Sequence, residues 1–254
     1  VLTRREERLL RTLRQRRARE DEGLFLAEGV RAVEDLAASP LAVRFAVAAS
    51  SLEDTPRGRA LAASLRARGV PVHPADERDL RAWADTETPQ GVLAVAEIPR
   101  AGLDAIALEA DPAVVLVLDA VQDPGNLGTL VRTAEALGAA GVVSLPGTVD
   151  AWNPKSVRAA MGSSFRLPVA EAGWDALAPW LERHGAVAVA TAVGAPLAGA
   201  LPRRAALVLG NEGAGVSPET LRRAGLTVGI PLRGRAESLN VAAAGAILLH
   251  ELLR

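Results

Sequence analysis

The feature that most restricts this fold is a set of uninterrupted apolar runs in the second half of the chain. Residues 113–119 read Ala-Val-Val-Leu-Val-Leu-Asp, and residues 205–210 read Ala-Ala-Leu-Val-Leu-Gly. A strand with one wet face alternates apolar and polar residues. A run without alternation marks a strand buried on both faces, as in a parallel sheet covered by helices. Helical periodicity fills the gaps between such runs. The expected order is strand 113–119, helix 127–138, strand 141–145, helix near 154–161, helix 174–184, strand 186–192, strand 205–210, helix 217–224, strand 226–230 and helix 239–253. This is an α/β pattern with a parallel sheet.

The first half reads as a smaller α/β domain. Residues 2–19 form a basic helix, ended by the acidic cluster Glu20 to Glu22 and by Gly23. Residues 1–19 hold eight Arg against two Glu, a local charge of +6. A short helix at 30–38, strand 42–49, helix 57–68, strand 70–73, helix near 76–84 and strand 91–98 follow. Pro99-Arg100-Ala101-Gly102 and Asp111-Pro112 punctuate the chain. The expected domains are therefore 1–100 and 113–254, with a linker at 101–112.

Composition removes whole classes of chemistry. There is no Cys, so disulfides, thiolate zinc sites and cysteine nucleophiles are excluded. The three His, at 73, 184 and 250, are scattered. Neither a three-histidine metal centre nor a His-based triad is expected, and no metal site is assigned. All basic residues but Lys155 are Arg, yet the net charge is only −1. No apolar run approaches the ~18 residues of a membrane span. The chain opens on Val1 with a charged stretch, so the cytoplasm is the expected compartment.

In a parallel sheet, ligands collect at the carboxyl ends of the strands. Three loops stand out there. The first, Asp123-Pro124-Gly125-Asn126-Leu127-Gly128, precedes a helix for which Asn126 is the expected cap. Leu127, Leu130, Val131, Ala134 and Leu137 form that helix's buried stripe, and Arg132 lies off it. Helical side chains lean toward the N-terminus, so Arg132 can reach back over the loop. The competing reading is a solvated Arg paired with Glu135 or with nothing.

The second loop is Gly210-Asn211-Glu212-Gly213-Ala214-Gly215. Its glycines let the backbone approach a ligand. Their order is not the dinucleotide fingerprint, and the next helix begins only at Ser217-Pro218. Glu212 would repel phosphate, so a neutral or cationic ligand such as an adenosyl sulfonium suits the loop better. A plain turn with a solvated Glu is the alternative. The third loop runs from Ile230 to Asn240 with two Arg and leads into an Ala-rich helix. Ser238 is a natural cap for that helix. Capping by Ser238 does not explain Asn240.

Together these loops resemble the three motifs of the SpoU/TrmH family of RNA ribose 2'-O-methyltransferases. Asn126-x-Gly128-x-x-x-Arg132-Thr133-Ala134 resembles motif 1. Leu209-Gly210-Asn211-Glu212-Gly213-x-Gly215 resembles motif 2. Ile230-Pro231-Leu232-x-Gly234-x-x-x-Ser238-Leu239-Asn240-Val241 resembles motif 3. Phe25-Leu26-Ala27-Glu28-Gly29 and Pro89-Gln90-Gly91-Val92-Leu93-Ala94 are similar to the RNA-binding domain of longer members. The resemblance implies a deep trefoil knot in the second domain, S-adenosylmethionine as cofactor, an RNA substrate and a homodimer. It implies Gly210, Asn211, Ile230 and Leu239 as cofactor-contact positions. Arg132, Asn126, Glu212, Ser238 and Asn240 become the catalytic positions.

In the family the motif 1 Arg is proposed as the base. A guanidinium does not readily deprotonate, so the reading adopted here is electrostatic. Arg132 clamps the RNA phosphate and steadies negative charge on the ribose oxygen. Glu212 is expected to orient Arg132, and Ser238 and Asn240 to hold the ribose or the cofactor tail. Two-domain members point to ribosomal RNA, with tRNA as the alternative. A non-catalytic RNA-binding protein of the same fold would be expected to lack a motif side chain, and all five are present. The basic N-terminal helix is the expected phosphate-contacting element.

Overall fold

The computed structural model describes residues 2–196 and 201–254. They form two compact units, each with its own sheet.

The first unit comprises residues 2–99 and Asp150–Arg166. Its strands are β1 (Leu24–Glu28), β2 (Val43–Ala48), β3 (Val72–Pro74) and β4 (Val92–Glu97), in the order β1-β4-β2-β3. β4 is antiparallel to both neighbours, and β2 and β3 are parallel. Its helices are α1 (Arg4–Thr12), α2 (Arg16–Glu22), α3 (Val30–Ala38), α4 (Pro56–Ala67), α5 (Glu77–Trp83) and, from the later segment, α7 (Pro154–Ala160). All five residues of β1 are buried. Side chains alternate across a strand, and both sets are used. Leu24 and Leu26 join Leu9, Leu10, Leu13, Phe45 and Trp83 in one core. Phe25 packs against Trp152 and Phe165, with ring centroids 4.7 and 5.7 Å away.

That second contact explains a departure from the expected domain limits. Residues 150–166 lie within the stretch read as the second domain, yet they pack in the first unit. The expected linker at 101–112 also differs. Ile106 and Leu108 are buried in the core of the second unit, and Ile106 fills the space beside Gly141 that a side chain there would need.

The single basic helix expected at 2–19 is two helices. Leu13 ends α1, and a turn closed by the Gln15 N–H on Thr12 O redirects the chain into α2. The fold back lets Leu9, Leu10 and Leu13 all be buried. It also brings Glu22 to both Arg5 (3.4 Å) and Arg8 (2.9 Å). The acidic cluster therefore belongs to α2, which ends at Gly23 with φ 65°. Arg19 turns inward: its Nε donates to Asp150 Oδ2 (2.7 Å) and its Nη1 to Leu13 O (2.7 Å).

The second unit comprises residues 100–149 and the described part of 167–254. Its strands are β5 (Ala113–Asp119), β6 (Gly141–Ser144), β7 (Val169–Glu171), β8 (Val187–Thr191), β9 (Arg204–Gly210) and β10 (Leu226–Val228). The order is β10-β8-β9-β5-β6-β7, and every pair is parallel. β5 and the last six residues of β9 are buried on both faces, as their composition requires. α8 (Trp174–Arg183) covers one face with Trp174, Leu177 and Trp180 against Val115, Val117 and Val208. On the other side α10 (Val241–Leu253) packs on α6 (Pro124–Leu137). A Cβ on Gly245 would come within 2.4 Å of Leu130 and 2.7 Å of Leu209. The small residues of α10 thus allow close approach. α9 (Pro218–Arg223) is capped by Ser217, as its Ser-Pro start predicts.

The Arg19–Asp150 pair is buried, with Arg19 only 2% exposed. Removing one partner leaves an uncompensated charge, which costs about 3–5 kcal/mol. Arg19→Ala is expected to lose that much stability, read from urea unfolding followed by tryptophan fluorescence.

Candidate functional site

The carboxyl ends of β8, β9 and β10 surround a cavity of about 240 Å³ in the second unit. Parallel strands direct their carboxyl ends and the following loops to one edge, which is why three loops distant in sequence meet there. Gly210, Asn211, Glu212, Ile230, Ser238 and Leu239 all line it. Leu209, Val241 and Leu248 supply further apolar wall, and Thr191, Ala192 and Val193 close the β8 side.

Two glycines set the shape. A Cβ on Gly210 would lie 2.1 Å from the backbone at Gly215 and Val216. A Cβ on Gly229 would lie 2.5 Å from the carbonyls of Ala192 and Ala195. Neither position admits a side chain, so the backbone of two loops runs past other backbone at contact distance. The Gly229 N–H donates to Pro196 O (3.1 Å) where the two segments meet.

Polar bonds tie the three loops together. The Glu212 carboxylate accepts from the N–H of Gln122 (3.1 Å), the N–H of Asp123 (3.1 Å) and Asn126 Nδ2 (3.0 Å). Asn126 Oδ1 then accepts from Asn240 Nδ2 (3.0 Å). Asn240 Oδ1 accepts from the N–H groups of Ala242 (2.9 Å) and Ala243 (3.3 Å) and so caps α10. The direction of the relay is self-consistent. The carboxylate only accepts, which turns the NH2 of Asn126 toward it, and each following amide is fixed in turn. Burial raises the Glu212 pKa, but the bonds from Asn126 and from the N–H groups of Glu212, Asp123 and Gln122 outweigh it. The carboxyl sits below its ordinary value.

These bonds alter three expectations. The cap of α6 is Asp123, whose side chain accepts from the Asn126 N–H (2.8 Å). The helix begins at Pro124, so the Asn126 side chain is released for Glu212 and Asn240. The cap of α10 is Asn240, which leaves Ser238 outside the helix on the cavity wall. Glu212 does not orient Arg132. Arg132 is exposed on α6, and the Glu212 carboxylate is held by Gln122, Asp123 and Asn126 instead. Asn211 lines the cavity, but its side chain is engaged by the loop itself. Its Oδ1 accepts from Gly213 and Ala214, and its Nδ2 donates to Ala120 O.

Asp119 was not singled out by sequence reasoning. It is buried at the end of β5 and accepts from the Ser217 N–H (2.6 Å) and Thr220 Oγ1 (2.6 Å). It thereby anchors the start of α9 and the far end of the Gly210–Gly215 loop. The signal was present: an acid closing an otherwise apolar strand. Thr191 to Val193 also went unremarked, although they follow a strand that neighbours β9.

Among the described residues no Lys, Arg or His lines the cavity, and Glu212 is the only charged one that does. The walls are apolar side chains and glycine-rich backbone. Such a site suits an adenosyl group and a sulfonium cation and is unsuited to a pyrophosphate. Among the described residues no cluster of His, Asp and Glu fits a metal ion.

Comparison with known proteins agrees with this geometry. The family model described as "SpoU rRNA Methylase family" matches residues 113–250. A second, the "MRM3-like substrate binding domain", matches residues 8–94. The chain is 38% identical over 244 residues to the 23S rRNA (guanosine(2553)-2'-O)-methyltransferase RlmP of Bacillus subtilis, covering 94% of this chain and 92% of the relative. It is 32% identical to the 23S rRNA (uridine(2479)-2'-O)-methyltransferase of Streptomyces viridochromogenes, covering 95% and 86%. The AdoMet-bound rRNA methyltransferase structure from Sinorhizobium meliloti superposes with a TM-score of 0.86 at 33% identity, covering 99% of this chain and 95% of that one.

The relay sets a pH expectation. A carboxyl whose folded pKa is lowered stabilises the fold above its unfolded value and loses that contribution as pH falls through the folded value. The stability gap between wild type and Glu212→Gln is expected to stay constant from neutral pH to about 5 and to close below 4.5. Thermal melting across that range reads it. Asn126→Asp sets a second carboxylate against Glu212 and is expected to melt lower than Asn126→Ala at neutral pH.

Proposed function

Because this chain belongs to the SpoU rRNA methylase family, whose members methylate RNA riboses with S-adenosylmethionine, we propose that it 2'-O-methylates ribosomal RNA of the large subunit. The observation that carries this reading is the glycine-walled cavity at the strand ends, with Glu212 the sole charged lining residue among the described residues. Relatives spanning nearly the whole chain are named for 23S rRNA, and the match to a substrate-binding domain supports a large structured RNA over tRNA.

The cofactor supplies an activated methyl group and a neutral leaving group. Gly210, Ile230 and Leu239 hold it through backbone groups and apolar surface, and Asn211 keeps the second loop in shape. Glu212, Asn126 and Asn240 fix the three loops in register, so alignment of the ribose oxygen needs little further ordering. Ser238, free of capping duty, faces the cavity and contacts the ribose or the cofactor tail. Arg132 stands exposed on α6, placed to bind the RNA phosphate and to steady charge on the 2'-oxygen as its proton passes to solvent water. A guanidinium stays protonated at neutral pH, so Arg132 acts by charge and not as the base.

The close approach of Gly229 to the segment after β8 supports the knotted arrangement that the family resemblance implies. A homodimer is supported by apolar exposure beside the cavity: Leu232, Leu239 and, on α10, Ile247 are 36%, 38% and 42% exposed. A second copy would cover them. Among the described residues no helix is long and apolar enough to cross a membrane. An rRNA substrate assigns the protein to the cytoplasm or another compartment that builds ribosomes.

S-adenosylhomocysteine is expected to raise the melting temperature and NAD to leave it unchanged, since only a bound ligand stabilises the native state. Arg132→Ala is expected to lower turnover on RNA by about 10²–10³ while S-adenosylhomocysteine affinity stays within about twofold. Methylation by that variant at the wild-type rate would remove Arg132 from the reaction.

A further inference from the structure

A second cavity, of about 430 Å³, lies in the first unit where β1 meets α3. Its polar lining is unbalanced. The acceptors are already taken: Glu28, 8% exposed, accepts from the N–H of Asp85 (2.8 Å), the N–H of Thr86 (3.3 Å) and the Thr86 hydroxyl. The side-chain carbonyl of Gln90 accepts from the Val30 N–H (3.2 Å). The donors are only partly taken. Arg158 Nη2 pairs with Asp85 (3.1 Å), but its Nη1 is buried without a hydrogen-bond partner, 4.0 Å from Glu28. With its oxygen engaged, Gln90 turns its NH2 group away from Val30 as a further donor. Arg31 and Thr88 line the same cavity, both exposed.

One buried donor without a hydrogen-bond partner, with the exposed donors of Arg31, Thr88 and Gln90 around the same cavity, favours an acceptor-rich ligand. We propose that this cavity binds a phosphodiester segment of the RNA substrate, with Arg31 and Arg158 on the phosphate oxygens and Gln90 and Thr88 on the adjoining sugar. The assignment rests on the RNA methyltransferase reading above. Two arginines, two neutral donors and apolar wall from Ala32 and Met161 fit a sugar-phosphate unit. The volume equals that of about fourteen waters at roughly 30 Å³ each, which leaves room for the sugar beside the phosphate. The basic stretch at the chain start is a weaker candidate for this contact. Six of its eight Arg are engaged in ion pairs, one of them buried. Arg158 and Met161 also lie outside the matched substrate-binding region, residues 8–94, so the cavity is completed by α7.

The test is filter binding of deproteinised 23S ribosomal RNA across a range of KCl, with S-adenosylhomocysteine present. Wild type is compared with Arg31→Gln, Arg158→Gln and Gln90→Ala. Each variant is expected to bind RNA about tenfold more weakly. The slope of log affinity against log salt should fall by about 1 in the two Arg variants and stay unchanged in Gln90→Ala. Arg31 and Gln90 are exposed, so their variants remain informative if Arg158→Gln fails to fold. Wild-type affinity and salt slope in the Arg31 and Gln90 variants would overturn the proposal. So would orthophosphate protection of the melting temperature that Arg31→Gln abolishes while RNA affinity is unchanged, which would mark a free-anion site. A wild-type protein that binds S-adenosylhomocysteine but no RNA would instead overturn the broader substrate reading.

Discussion

The second unit depends on one carboxylate. Glu212 sits in a glycine-rich loop and accepts hydrogen bonds from the loop after β5. Through Asn126 it reaches Asn240, and through Asn240 the first turn of α10. Three segments that lie far apart in sequence are held by four side-chain bonds and one helix cap. Loops at the ends of strands are otherwise the least constrained part of a parallel-sheet domain. A site that must align two substrates within about half an ångström needs such support, and here the support is built from uncharged amides around a single anion. Among the described residues the same anion is the only charge lining the cavity, so structural and electrostatic demands fall on one residue.

Sterics reinforce the polar relay. Gly210 and Gly229 lie where backbone meets backbone, and Gly245 lies where α10 meets α6 and β9. None tolerates a Cβ without movement. The helix capped by Asn240 is therefore also pressed against α6 and β9. Packing fixes its axis, and the cap fixes where it begins. Ser238 and Leu239 are left outside the helix as cavity wall, which a start two residues earlier would have prevented.

Much of this was legible in the chain. The apolar runs of β5 and β9 predicted a parallel sheet, and the rule of ligand binding at strand ends pointed to the loops after β9 and β10 that wall the cavity, whereas the loop after β5 meets them through hydrogen bonds and the β8 end was passed over. Failures came where two explanations competed for one residue. Asn126 and Ser238 are both good caps by type. Asp123 and Asn240 are also good caps, and propensity alone does not rank them. Only the three-dimensional partners, Glu212 for Asn126 and the Ala242 N–H for Asn240, decide the matter. The basic helix failed for a related reason. Local charge was counted to residue 19, while Glu20 and Asp21 pair with Arg16 and Arg17 of their own helix and Glu22 folds back onto Arg8 of α1. Residues 150–166 were assigned by their place in the chain, but an aromatic cluster and a buried ion pair hold them in the first unit. Nonlocal contacts of that kind leave no periodic trace.

The most direct test of the account is methyl transfer itself. The protein is incubated with total RNA and S-adenosylmethionine tritiated in its methyl group, and the RNA is separated by size and digested to nucleosides. Label recovered as a 2'-O-methyl nucleoside from large-subunit ribosomal RNA is the predicted result. Absence of label from every RNA, together with no binding of S-adenosylhomocysteine, would contradict the account.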